Sequence, residues 1–174
     1  MLLWRPRYIN AMQQMDQRPL APDANGTLRV TFGTVRGYQP TPEAPEFRPF
    51  TTVSEMVKKN KGAWPFDVPG YLLDTVKARK FGPYVDAQLG EVPVDFLSDL
   101  DITGGNSGSP TLNGRGEITG LAFDGNYEAM ASDWIFQPSI TRTIHVDLRY
   151  VEWLLDAVVP GHHILQEMGV KPAF

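Results

Sequence analysis

Cysteine is absent from this 174-residue chain. Disulfides, thiolate chemistry and cysteine-ligated zinc are thereby excluded, although the compartment is not decided by this. Histidine is scarce: His145, His162 and His163 are the whole supply, and none precedes them. No apolar run approaches the length of a membrane span. The opening Met1-Leu2-Leu3-Trp4-Arg5-Pro6-Arg7 lacks the long apolar core expected of a secretion signal. Positive charge is not in excess; the net charge of −4 argues against a nucleic-acid or anionic-membrane partner. Internal repeats and low-complexity tracts are also missing.

What is present is an ordinary globular composition, 42% hydrophobic and 21% charged, in a length that suits one domain with a sizeable core. The 15 prolines and 16 glycines favour a loop-rich β architecture over a helix bundle. Residues 3–15 read as a short helix interrupted near Pro6, and residues 16–26 as a linker. Thr27-Leu28-Arg29-Val30-Thr31-Phe32 alternates in the manner of a half-buried strand. Residues 38–49 carry four prolines and read as an irregular loop. Thr52-Val53-Ser54-Glu55 has the capping-box pattern that opens a helix, and Tyr71 to Lys80 is a second helical stretch. Val92 to Leu97 and Thr141 to Val146 read as strands. Asn113-Gly114 marks a tight turn with Glu117 to Phe123 as its return strand. Asp147 is placed to cap a helix whose apolar stripe is Leu148, Val151, Leu154, Leu155 and Val158.

The most informative stretch is Gly104-Gly105-Asn106-Ser107-Gly108-Ser109-Pro110. It sets one serine among small residues just before the expected hairpin. A serine hydroxyl attacking a carbonyl creates an oxyanion that needs backbone N–H donors aimed at it. Glycines two before and one after the serine let the backbone approach a substrate closely. Ser107 is thus the candidate nucleophile, with the N–H groups of Gly105 and Ser107 as oxyanion donors. A Gly/Ser-rich turn with no chemistry is the plain alternative. The α/β-hydrolase elbow fits poorly, because a β pattern follows rather than a helix.

A serine hydroxyl needs a positioned base, and none is evident. His145 reads as a strand histidine, and His162-His163 as a solvated helix start without a carboxylate at metal-ligand spacing. No metal or cofactor is implied. Roughly a hundred residues precede Ser107 and contain no histidine. The expectation is therefore an incomplete catalytic unit. The strand after the serine hairpin ends at Ala122-Phe123-Asp124-Gly125-Asn126, where it would wall a P1 pocket. Asp124 and Gly125 are pocket candidates by position, and a solvated Asp-Gly turn is the alternative.

Several segments together resemble the bacterial serine dipeptidyl-peptidases of the dipeptidyl-peptidase 7 and 11 type. They are Asp101-Ile102-Thr103 with the serine run, Leu121 to Met130, Arg142 to Tyr150, Asp23 to Gly33, and Pro49-Phe50-Thr51-Thr52. The resemblance implies a mainly β fold with helices: the C-terminal β-barrel of a chymotrypsin-like double-β-barrel peptidase plus a C-terminal helix. It implies that residues 1–22 are the end of a helical region with its linker and 23–174 the serine-bearing barrel. The first barrel, with the catalytic His and Asp, and the helical domain would be its missing partners, so the chain is expected to be a fragment inactive by itself. The resemblance also implies removal of dipeptides from peptide N-termini, an Asp124 contact to the substrate's α-ammonium, and an apolar P1 preference from Gly125, where acidic-preferring members carry Arg. It further implies a periplasmic or cell-surface location in a Gram-negative bacterium, and leaves room for a homodimer of the full-length enzyme. Asp101, six residues before Ser107, would by spacing bind a basic P1 side chain; the resemblance assigns it a structural role. Two alternatives stand beside this reading: a non-catalytic barrel, peptide-binding or orphan, and a glutamyl-endopeptidase-like serine protease.

Overall fold

The computed structural model describes residues 3–16 and 28–174. Arg5–Asp16 form helix α1. Pro6 sits in its first turn, where a missing N–H interrupts no hydrogen bond, so the helix begins near the proline instead of breaking there. The expected linker beyond Asp16, the boundary near residue 22 and Thr27 lie outside the described residues.

Five strands build one antiparallel sheet in the order β1-β2-β5-β4-β3. They are β1 (Phe50–Thr52), β2 (Pro93–Ser98), β3 (Pro110–Leu112), β4 (Ile118–Gly125) and β5 (Thr143–Asp147). The β3–β4 hairpin turns at Asn113, whose Oδ1 accepts the N–H of Arg115 at 2.9 Å and of Glu117 at 3.1 Å. Helix α2 (Val53–Lys58) follows β1 directly. Its start is the expected capping box, with Glu55 reaching back to the Thr52 N–H at 3.0 Å. Helix α3 covers Gly70–Lys77. Helix α4 (Leu148–Trp153) runs on as a wider π turn, Leu154–Val158, and α5 (His162–Glu167) closes the chain's helical elements. The antiparallel sheet with its helices agrees with the expected fold of strands and helices, although among the described residues helix exceeds strand.

The apolar core lies between the helices and the β1–β2 side of the sheet. Val53, Leu72, Tyr84, Val92, Val94 and Trp153 are its buried members. Trp153 is fully enclosed, and its indole N–H donates to the Lys80 carbonyl at 2.6 Å. Burial and a satisfied polar tip together fix the ring. Asp156 ties the C-terminal region to this core, accepting the Tyr84 hydroxyl and the Ala173 N–H, each at 2.8 Å.

Strand β5 inverts the usual pattern. Thr143, His145 and Asp147 point inward and are buried, while Ile144 and Val146 are half-buried. Each inward polar group has a partner, as burial demands. Thr143 Oγ1 donates to the Leu100 carbonyl at 2.9 Å. Asp147 caps α4, accepting the Arg149 N–H at 3.0 Å, and its other oxygen lies 2.8 Å from the Arg149 guanidinium.

The strand expected over Thr27–Phe32 is not formed within its described part. Leu28, Val30 and Phe32 are 97%, 83% and 91% exposed, and an alternating pattern makes a strand only where a neighbour accepts its backbone. Pairing begins just beyond, where the Arg36 N–H donates to the Leu97 carbonyl at 3.1 Å and the Asp99 N–H to the Thr34 carbonyl at 3.1 Å.

Candidate functional site

Asn106 shapes the serine loop. Its Oδ1 accepts the Thr103 N–H at 3.0 Å, its N–H donates to the Thr103 carbonyl at 3.2 Å, and its carbonyl accepts the Ser109 N–H at 2.9 Å. Gly105 sits at φ +100°, a conformation that a side chain strongly disfavours. Two backbone bonds then tether the loop to β4: Gly108 N–H to the Ala122 carbonyl at 2.7 Å, and Ala122 N–H to the Ser109 carbonyl at 2.9 Å. Ser107 projects from this turn, exposed, its hydroxyl donating to the Phe123 carbonyl at a long 3.4 Å. Among the described residues, neither the Gly105 nor the Ser107 N–H donates to a protein acceptor.

Ser107 opens onto a cleft of about 260 Å³. The same cleft is lined by Asp124 and Gly125 at the end of β4, by Ala129 and Met130 of a 3-10 turn (Tyr127–Ala131), and by Thr103 and Asp133. The serine and the two pocket candidates of the sequence thus share one space. Asp124 Oδ1 accepts the N–H of its neighbour Gly125 at 2.8 Å. A bulge between Ala122 and Asp124 sets the turn of the strand at this point. Among the described lining residues two carboxylates appear and no basic side chain.

Asp133 and Asn126 also line the cleft, and neither stands out in the sequence. Asp133 Oδ1 accepts the Thr103 hydroxyl at 3.0 Å across the cleft, and no motif marks it. Buried Asn126 clamps the loop that follows β4, its Oδ1 accepting the Arg142 N–H at 2.8 Å and its Nδ2 donating to the Ile140 carbonyl at 2.7 Å. Asp101 does not line the cleft. Desolvation and the nearby Asp133 carboxylate hold its carboxyl above the ordinary aspartate range.

His145 is no base for Ser107. Its Nε2 lies 2.6 Å from the Ser98 hydroxyl and its Nδ1 2.7 Å from the Thr111 hydroxyl, and the ring stacks on Phe96 at 4.6 Å. Burial pushes its pKa down to about 4. It is fully enclosed, more deeply than the sequence suggested. His162 pairs with Asp156 at 3.0 Å near the C-terminus. Among the described residues no group of three histidines or acids is placed to hold a metal ion, and no helix is long and apolar enough to cross a membrane.

An exposed hydroxyl, two unshared N–H groups and a substrate-sized cleft are the parts that acyl transfer asks of a peptidase's nucleophile loop. The chain belongs to the peptidase S46 family, whose model matches residues 3–170. It is 40% identical over 190 residues to an Asp/Glu-specific dipeptidyl-peptidase of Shewanella putrefaciens, covering 95% of this chain and 26% of that protein. It is 46% identical over 154 residues to dipeptidyl-peptidase 7 of Capnocytophaga gingivalis, covering 87% of this chain and 21% of that one. The crystal structure of DPP11 from Porphyromonas endodontalis in complex with the dipeptide Arg-Glu superposes with a TM-score of 0.84. That match is 34% identical and covers 93% of this chain and 23% of that one. The chain thus spans about a quarter of the length of these relatives.

Proposed function

We propose that this chain is the serine-bearing part of a dipeptidyl-peptidase that removes dipeptides from peptide N-termini and prefers an apolar P1 side chain. Ser107 Oγ attacks the scissile carbonyl, its proton passing to a base on another part of the enzyme. The Gly105 and Ser107 N–H groups receive the developing oxyanion, the base hands its proton to the leaving amine as the C–N bond breaks, and water, deprotonated by the same base, later releases the dipeptide from the serine ester. Asp124 pairs with the free α-ammonium, which favours a chain end over an internal segment. Gly125 leaves the P1 space open and uncharged.

The observation that carries this reading is the shared cleft of Ser107, Asp124 and Gly125, whose described lining residues include the acids Asp124 and Asp133 and no cationic side chain. An acidic P1 side chain would need one: a carboxylate brought beside carboxylates without a counter-charge is disfavoured. This argues for an apolar P1 even though some relatives are named Asp/Glu-specific. The same reading puts the enzyme in the periplasm or at the cell surface. The test is hydrolysis of fluorogenic dipeptidyl amides by the longest natural protein containing this sequence. Expected is at least tenfold higher kcat/KM for Leu than for Glu at P1, with all activity lost in Ser107→Ala. Equal or greater activity on Glu would overturn the apolar assignment, and activity surviving in Ser107→Ala would overturn the nucleophile.

A further inference from the structure

A Cβ built on Gly125 would stand 2.9 Å from the Ala129 Cβ, closer than two such carbons ordinarily approach. The obstacle is a methyl fixed to backbone, not the tip of a flexible side chain. We infer that Ala129 is a second specificity-determining residue of the cleft, acting with Gly125 as a steric pair, an inference that rests on the reading of Gly125 as a P1-pocket position.

The methyl has little freedom to retreat. Ala129 N–H donates to the Asn126 carbonyl at 2.9 Å, and the Ala129 carbonyl accepts the Ser132 N–H at 2.9 Å. Asn126 is itself locked to the residue that precedes β5, its N–H and Oδ1 bonded to the Arg142 carbonyl and N–H at 2.9 and 2.8 Å. Glu128, the neighbour of Ala129, accepts the Tyr38 hydroxyl at 2.9 Å and the Asn126 amide at 2.8 Å. Arg142 anchors the far end of the segment, its guanidinium donating to the Gly37 carbonyl at 2.9 Å and the Pro138 carbonyl at 2.9 Å. A side chain introduced at position 125 therefore meets a wall that cannot yield cheaply.

Two consequences follow for the cleft. With Ala129 present, position 125 is held to glycine, and the pocket is kept open and uncharged. A cationic side chain at position 125 can enter only if position 129 gives up its methyl. The P1 choice is then written in two residues, and changing Gly125 alone is not enough to convert it.

The test has two arms in the longest natural protein that contains this sequence. In the first, Gly125→Ala, Ala129→Gly and the double variant are melted. Gly125→Ala is expected to lower Tm, and the double variant to melt at or above it, a non-additivity that two unrelated sites would not give. In the second, Gly125→Arg is compared with Gly125→Arg/Ala129→Gly on dipeptidyl amides with Glu or Leu at P1. The double variant is expected to cleave the Glu substrate with at least tenfold higher kcat/KM than the single variant. Additive melting losses, or equal activity of the two Arg variants on Glu, would overturn the role of Ala129 while leaving the peptidase reading intact. Unaltered protein cleaving neither substrate would overturn that reading, and this specificity role with it.

Discussion

The Ser107 hydroxyl donates to the Phe123 carbonyl at 3.4 Å, so the candidate nucleophile rests on the strand that walls its cleft and not on a base. A long bond to a neutral carbonyl does nothing to deprotonate it. The chain by itself is expected to show no fluorophosphonate labelling above its Ser107→Ala control. Labelling that the substitution abolishes would reveal a base within these residues and sink the incomplete-site reading.

His145 makes folding sensitive to mild acid. Its pKa is pushed down to about 4 in the folded chain, against about 6.5 when unfolded. Because the folded state favours the neutral ring, this contribution is complete above the unfolded value and is lost as pH falls from there towards the folded one. The loss is about 3 kcal/mol at most, at roughly 1.4 kcal/mol per pH unit. Urea midpoints at pH 7.5 and 4.5 should differ markedly in the parent chain and much less in His145→Gln. Asp86, held low by the Leu89 N–H and the Arg149 guanidinium, loses its contribution only below its own unfolded value near pH 4, so its window is separate.

Asp124→Asn keeps an oxygen for the Gly125 N–H but removes the charge. On substrates with a free α-ammonium, kcat/KM is expected to fall about 10–100-fold, the worth of one charge-assisted hydrogen bond. N-acetylated analogues should be cleaved slowly by both forms and equally. An equal fractional loss on both substrate types would remove Asp124 from N-terminus recognition.

Trp153→Ala should cost about 3–5 kcal/mol of stability, since it empties the centre of the core and orphans the Lys80 carbonyl. Chemical denaturation measures this directly. A loss under about 1 kcal/mol would mean that the core does not depend on this ring.

Local chemistry was readable from the sequence, and long-range chemistry was not. The Thr52–Glu55 box, the Asn113 turn and the Asp147 cap each depend on residues within a few positions, and all three form as expected. The sheet was legible because β2, β4 and β5 carry clear strand patterns. The polar inward face of β5 was not, because His145 is satisfied by Ser98 and Thr111, 47 and 34 residues away. The apolar alternation at Leu28, Val30 and Phe32 misled for a related reason: a pattern does not supply its own neighbour. Asp133 entered the cleft through the fold alone, across 30 residues from Thr103.

The two bonds joining Gly108 and Ser109 to Ala122 have a mechanical meaning. The candidate nucleophile and the cleft wall proposed to select the side chain are thereby registered to each other by the sheet. On the proposed reading, any motion that completes the catalytic centre must therefore bring the proton acceptor to Ser107. If that motion varied between open and closed forms of the enzyme, turnover would change while the choice of P1 residue stayed constant.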